Sequence, residues 1–416
     1  MAAGCAGIGS LLAKLRTQGN TGVNTTSAVT LQDSDGKTKV SQAIERASIC
    51  YNFGKHPTLL SATEECFNTK EIKSEWVKFE NNYIISVEFN EDGTALSTTS
   101  QDRVLRIFKV NDDGKLIDID ASYREGGFIY DTTWNPVQKN LIATTSHSSP
   151  IRIYDCDNEK PKSSLKGINA LDELEHAYSL AFSNDGDTLY AGYKNCVRLF
   201  DVEKSSKQVY EFKTYTKAYG GQKGIICGMM MKPQSDTEFA VASFGNNIGF
   251  YSNLHKECQL QLFHEMESIS TFKYSPDGIY IYIGGRKGQG IACYDTRMAT
   301  VKLYELKREC TNHQRLNFDI TGDGNHIISG NTDGNLSVYD LKRGEDFLKT
   351  TNFKISNSTV VSVSLHPTNN VIASGTGQRI FPLPVEMEDS DYDGDEPVEM
   401  EKQEHYEQNI LLIHAF

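Results

Sequence analysis

No stretch of this chain approaches the ~18 consecutive apolar residues that a helix needs to cross a bilayer, so no membrane partner is expected. Its nine cysteines (Cys5, Cys50, Cys66, Cys156, Cys196, Cys227, Cys258, Cys293 and Cys310) form no C-x-x-C pair and have no histidine at zinc spacing. An odd, scattered set of this kind argues against a disulfide framework and a structural zinc, and reads as small buried side chains in a reducing compartment. The motifs G-x-S-x-G, H-E-x-x-H and G-x-x-x-x-G-K-[ST] are all missing. The ten histidines are dispersed, and many aspartates sit in turns, where they accept backbone N–H bonds rather than shuttle protons. No catalysis, metal or cofactor is therefore expected. No block of Lys and Arg marks nuclear import, and tryptophan is scarce, with two against 20 Tyr and 19 Phe.

What is present is a repeat. An apolar strand, a tight polar turn, a second strand and an apolar strand closing on an aromatic recur at roughly 45-residue spacing. The turns are Asp92-Gly93, Asn135-Pro136, Asp185-Gly186, Lys232-Pro233, Asp277-Gly278, Asp323-Gly324 and His366-Pro367. Tyr154, Phe200, Tyr251, Tyr294 and Tyr339 stand where a WD repeat carries tryptophan, and are expected to fill the space between sheets. The pattern predicts an all-β fold, a seven-bladed WD-repeat β-propeller that uses the 416 residues for one closed ring rather than several domains.

Residues 1–44, rich in Ser, Thr, Gly and Asn, read as a disordered leader ahead of a propeller over 45–416. Within it Leu11, Leu12 and Leu15 beside Lys14 and Arg16 faintly suggest a transit peptide, but two bases are too few. Rings usually close by pairing strands from both ends of the chain. Segment 48–80, with the alternating Glu75-Trp76-Val77-Lys78-Phe79, is the expected clasp. The seventh repeat is interrupted by an acidic run, and Asn409-Ile410-Leu411-Leu412-Ile413 then resumes as a strand. From Glu386 to Glu407 that run holds eleven acids and one base, Lys402, hence -10 of the formal -13. The remainder carries only -3, so a propeller body can still present a basic face. The run itself reads as a solvated loop inserted in blade seven, with Ser390 and Tyr392 as candidate phosphorylation sites.

Blades five and six concentrate base: Arg286, Lys287, Arg297, Lys302, Lys307, Arg308 and Arg315, interleaved with Tyr294 and Tyr304. Gly284-Gly285-Arg286-Lys287-Gly288-Gln289-Gly290 lies between two strands with no helix behind it. It is therefore expected to be a hairpin tip with Arg286 and Lys287 pointing outward rather than a phosphate cradle. Arg and Lys would neutralise RNA phosphates, while Asn312, His313 and Gln314 could read exposed base edges. His147 and His176 are expected to lock loops by hydrogen bonds. Ala170 to His176 is expected to be a surface loop or a short helical turn.

Longer phrases are more specific than a bare repeat requires. Ser148-Ser149-Pro150-Ile151-Arg152-Ile153-Tyr154-Asp155, Leu171-Asp172-Glu173-Leu174 running into Tyr178-Ser179-Leu180-Ala181-Phe182-Ser183, and Gly285-Arg286-Lys287 are three of them. Thr311-Asn312-His313-Gln314-Arg315 ahead of Phe318-Asp319, and Val363-Ser364-Leu365-His366-Pro367 leading to Ser374-Gly375-Thr376-Gly377-Gln378-Arg379-Ile380-Phe381-Pro382 and then the acidic insertion, complete the series. In this order they resemble the telomerase Cajal body protein family, from about Tyr130 to Pro382. One departure is that the chain closes on Leu412-Ile413-His414-Ala415-Phe416 where the family tends to show Trp. The resemblance implies a non-enzymatic RNA-binding scaffold for box H/ACA small Cajal body RNAs and telomerase RNA, supporting telomerase assembly and telomere maintenance. It implies H/ACA core proteins, telomerase and the cytosolic chaperonin as partners of a monomer within a larger complex. It implies residence in the nucleus and Cajal bodies with a cytoplasmic pool. It adds Gln378 and Arg379 to the candidate RNA-binding set Arg286, Lys287, Arg297, Asn312, Gln314 and Arg315. A second reading is a protein adaptor, because Tyr294-Asp295-Thr296-Arg297 looks like the aromatic-Asp-x-Arg motif of cullin ubiquitin-ligase substrate receptors.

Overall fold

The computed structural model describes residues 51–67, 81–379 and 409–416, apart from 52, 159, 205, 254–257, 264–268, 289, 299–300 and 343–348, together with 31–32 and 38–39. Residues 47–416 form one compact unit and 1–46 another. Of the second unit, the described part is a pair of two-residue strands, Leu31–Gln32 and Thr38–Lys39.

Seven antiparallel four-stranded sheets make up the larger unit. Six of them run inner to outer in chain order. Their inner strands are Ile84–Phe89, Ile129–Trp134, Ser179–Phe182, Ile226–Met231, Ile269–Tyr274 and Phe318–Ile320. The sequence dictates this locally: second strands such as Leu141–Ser146 and Val371–Thr376 are buried along their whole length, so sheets must pack on sheets. The predicted aromatics do this, with Tyr154, Phe200, Tyr251, Tyr294 and Tyr339 all at most 3% exposed. Leu141, Ile153 and Leu180, for example, share one core with Phe182 and Phe200, which joins blade two to blade three.

The tight turns share one chemistry. In blade five Asp277 Oδ1 accepts from Ser275 Oγ (2.5 Å) and from the Ile279 amide (3.0 Å), while Gly278 takes φ +68°. Blades three and six repeat this with Ser183, Asp185 and Gly186, and with Thr321, Asp323 and Gly324. Such Asx turns need a short acceptor side chain and a residue tolerant of positive φ. At two of the three turns where Asp-Gly is replaced, the substitute holds the next blade as well. Asn135 Oδ1 accepts from Val137 and Gln138, and its Nδ2 donates to Gly186 O (2.8 Å). His366 Nδ1 accepts from the Thr368 and Asn369 amides, leaving Nε2 to donate to Gly93 O (3.1 Å). A Cβ on Gly93 would fall 2.2 Å from that imidazole.

Neighbouring inner strands are not laddered, so side chains satisfy their free amides. Asp131 accepts from Leu180 N (3.0 Å), Asp319 from Leu365 N (2.8 Å), and Ser362 and Ser364 from Val87 N and Phe89 N (3.0 Å each).

Blade seven closes the ring. Val360–Leu365, Val371–Thr376 and Leu411–Ala415 are its first three strands, and Thr58–Thr63 is its outermost, with Thr58 opposite Ala415. The clasp strand therefore lies at Thr58–Thr63, whereas Glu75 to Phe79 fall outside the described residues. The acidic run falls between the second and third strands of this blade, also outside the described residues. At the end that departs from the resembled pattern, Phe416 packs 5.1 Å from Phe53 and 5.4 Å from Phe353, ring centre to ring centre. An aromatic still fills the seam.

Candidate nucleic-acid interface

The blade topology sorts loops onto two faces. On one face lie the turns between second and third strands and the connections between blades; the tight Asp-Gly turns and the turns into outer strands lie on the other. Arg297 follows the third strand of blade five, Ile291–Asp295, beside Thr296, whose hydroxyl donates to Gly278 O and Ile279 O. It thus stands on the second face. Its fork is closed on Asp295, Nε to Oδ1 at 2.9 Å and a second nitrogen to Oδ2 at 2.6 Å. Arg286, Lys287, Asn312, Gln314, Arg315, Gln378 and Arg379 all belong to the first.

These seven do different work. Arg286 does not point outward as the hairpin reading expects: it is half-buried, donates to His313 O (3.0 Å) and lies 5.9 Å from the Phe244 ring centre. Arg308 is buried beneath, donating to Gly285 O (2.6 Å) and Leu316 O (3.2 Å), so it ties the hairpin to the inter-blade loop. Asn312 and Gln314 bond to each other (3.0 Å), and Gln314 reaches Gly377 O (3.2 Å) across to blade seven. Asn81 holds Gln378 O at 2.7 Å. Three separate segments are thereby knitted into one platform, on which Lys287, His313, Gln378 and Arg379 are exposed. The sequence run of bases is not one patch. Tyr294 is core, Arg308 is buried, and Arg315 turns towards the central channel, 3.8 Å from Asp131.

That channel has a volume near 340 Å³ and is lined by inner strands, including Glu88, Asp131, Lys273 and Arg315. Lys273 pairs with Asp319 at 2.7 Å. Burial pushes the Glu88 carboxyl up to about 8, opposed by Lys273 and reinforced by Asp131, Asp319 and Glu91. Asp131 is likewise raised by burial.

His147 makes the hydrogen bond expected within its turn, Nδ1 to Ser148 Oγ (2.9 Å), whereas no bond from His176 accompanies it among the described residues, and further locking falls to buried polar groups. Glu125 accepts from Thr144 Oγ1 (2.7 Å), Ser146 Oγ (3.0 Å) and Tyr154 OH (2.9 Å), and pairs with Arg152. Gln222 does the same in blade four, donating to Val241 O and Asn247 O and accepting from Tyr251 OH. His147 and His176 also join Phe128, Tyr130 and Tyr178 in a cluster of five rings on the first face. Tyr130 and His176 stack at 5.5 Å and 14°, and His147 lies 5.0 Å from His176. His176 also packs at 4.8 Å against Tyr178, and Phe128 at 5.7 Å against Tyr130. Sequence reasoning missed this group. The usable signal was Phe128 and Tyr130 flanking Ile129: period two sends both rings to the side opposite a buried residue. The stretch Ala170 to His176 is neither a helical turn nor a plain loop. It ends a hairpin pairing Gly167–Ile168 with Leu174–Glu175, and Leu171 at its turn is 78% exposed.

Among the described residues no group of three or more metal-binding side chains occurs, and no helix is long and apolar enough to cross a membrane. Burial raises the thiols of Cys66 and Cys227 to about 11 and of Cys156 and Cys196 to about 12. These thiols are protonated, and so unreactive, at neutral pH.

No established family profile matches the chain. Individual proteins do. It is 30% identical to Telomerase Cajal body protein 1 of Mus musculus over 358 residues, 82% of this chain and 65% of that protein. Against Telomerase Cajal body protein 1 of Homo sapiens it is 29% identical over 360 residues, 82% of this chain and 63% of the other. It is also 27% identical to Guanine nucleotide-binding protein negative regulator 1 of Schizosaccharomyces pombe, over 72% of this chain and 81% of the relative. The chain thus spans about two thirds of the length of the Cajal body relatives it matches.

Proposed function

Since the chain belongs to the telomerase Cajal body protein family, we propose that it is a non-enzymatic scaffold that binds RNA on the first face of the propeller. The observation that carries this reading is the platform knitted from Arg286, Asn312 to Gln314 and Gly377 to Arg379. Three segments remote in sequence meet there, and each belongs to a phrase that marks the family resemblance. A rigid ring presenting cations and amides at loop positions suits recognition of a single-stranded RNA loop, whose phosphates and base edges are both accessible. Lys287 and Arg379 would meet phosphates, and His313 and Gln378 would meet bases. Arg308, Asn312 and Gln314 would hold the platform in shape. Arg297 stands apart and is left out of the site.

The RNA clients in this reading are box H/ACA small Cajal body RNAs and telomerase RNA. The protein would accompany them with H/ACA core proteins to Cajal bodies in the nucleus, after folding on the cytosolic chaperonin. Ultraviolet crosslinking in cells followed by sequencing of the bound RNA tests it. Enrichment of H/ACA-type RNAs is expected. RNA at background level would overturn the reading and leave a protein adaptor in its place.

A further inference from the structure

The ring cluster on the first face has no part in the platform just described. Phe128, Tyr130, His147, His176 and Tyr178 come from the second blade's entry, its hairpin turn and the entry to the third blade. Their mutual distances run from 4.8 to 6.3 Å. His147 is exposed and the other four are half-buried. The half-buried rings leave part of each face open to solvent beside the exposed His147, an apolar opening that a flat ligand could cover.

Its construction is local and specific. Gly127 lets the entry loop lie directly against the hairpin turn, since a Cβ there would fall 2.4 Å from His147 O. Ser148 holds φ +56°, a left-handed conformation that costs free energy in a residue other than glycine. Arg103, from the first blade, donates to Gly126 O (3.0 Å), two residues before Phe128. Among the described residues, neither the Tyr130 nor the Tyr178 hydroxyl has a hydrogen-bond partner, and neither has a ring nitrogen of His176. Burial, with His147 as a lesser cause and Glu175 opposing, lowers the His176 pKa.

We infer that this cluster is a stacking seat for an unpaired nucleobase, with Arg103 at the entry loop as the cation for a flanking phosphate. Flat rings with polar edges, of which the Tyr130 and Tyr178 hydroxyls and the His176 ring nitrogens are unused, suit a base, which has a π-face and a hydrogen-bonding edge. An aliphatic partner surface would waste the hydroxyls and ring nitrogens. This inference rests on the RNA reading and extends it, giving the bound strand a second anchor across the channel mouth from the Lys287 and Arg379 platform.

The test uses the full chain, a single-stranded oligoadenylate carrying one 2-aminopurine, and an abasic strand of equal length. The wild-type protein should bind the oligoadenylate about tenfold more tightly than the abasic strand and quench its fluorescence. The His147→Ala/His176→Ala variant should lose both the preference and the quenching while keeping the wild-type melting temperature. His176→Phe, which keeps a ring, should retain both. A double variant that still prefers and quenches the based strand would overturn the seat and leave the RNA reading intact. Equal wild-type affinity for the two strands would also overturn the seat alone. No wild-type binding to either strand would also overturn the seat, while the RNA reading falls only on background-level RNA in the crosslinking experiment.

Discussion

Acidification should loosen the closure of the ring through His414. This residue lies in the strand Leu411–Ala415, opposite Leu59 of the clasp on one side and Ile372 on the other, and is 5% exposed. Its Nδ1 has no hydrogen-bond partner among the described residues. Burial, with a smaller contribution from His56, pushes its pKa from 6.5 down to about 4. The unfolded chain therefore takes up a proton below pH 6.5 that the folded chain refuses until about pH 4. Stability from this group is complete above 6.5 and is lost as the pH falls towards 4. A shift of this size corresponds to about 3 kcal/mol, a large share of the ~5–15 kcal/mol that holds a typical domain folded. His414→Leu removes the titration while keeping an apolar fill. Urea unfolding of both proteins, followed by tryptophan fluorescence from pH 7.5 to pH 4, isolates the effect. His326 and His366, whose pKa values burial also lowers, contribute equally to both proteins and cancel in the difference. The wild type should lose about 3 kcal/mol relative to the variant across that interval. A difference that stays flat with pH would refute the argument that His414 is buried neutral.

Other outcomes follow from the same geometry. Glu88→Gln should raise the melting temperature relative to wild type at pH 9 and much less at pH 5, because a carboxyl with a raised folded pKa loses stability as pH climbs from 4.5 through about 8; differential scanning fluorimetry at the two pH values checks it. A chain cut after Gln408 loses the buried Leu411, Leu412 and Ile413, on the order of 6 kcal/mol of apolar burial. It should melt well below the intact protein; an unchanged melting temperature would remove that strand from the ring. Lys287→Ala and Arg379→Ala should each weaken binding to an H/ACA-type RNA and reduce the slope of log affinity against log salt by about 1. Arg297→Ala, on the other face, should leave both affinity and slope unchanged in the same filter-binding series.

How much of this was legible beforehand depended on the range of the interactions. Asp277-Gly278 could be read as a turn because its acceptor, its donor and its positive φ lie within a few residues. Tyr154 and Tyr339 could be read as core because period and size alone put them between sheets. The clasp could be assigned only to a broad segment, since the pairing of Thr58 with Ala415 spans nearly the whole chain and no local signal fixes its register. Arg286 and Arg308 look alike in sequence, yet one lies half-buried beneath a loop carbonyl and the other is sealed in the core. That difference is set by where a loop from the next blade crosses. His147 and His176 both fit a locking role by position, yet only His147 bonds within its turn, to Ser148, while Glu125 and Gln222 carry the larger networks and both imidazoles join the ring cluster.

The sequence by itself determined the seven-fold repeat, the turn chemistry, the aromatic seams and the family, because strand period and short-range hydrogen bonding are local properties. Only the tertiary structure decided which face each loop joins, which charges are exposed, and that five rings from three connections meet at the channel mouth. Closing a ring brings together residues that no local pattern relates, and their burial is fixed by neighbours tens to hundreds of residues away.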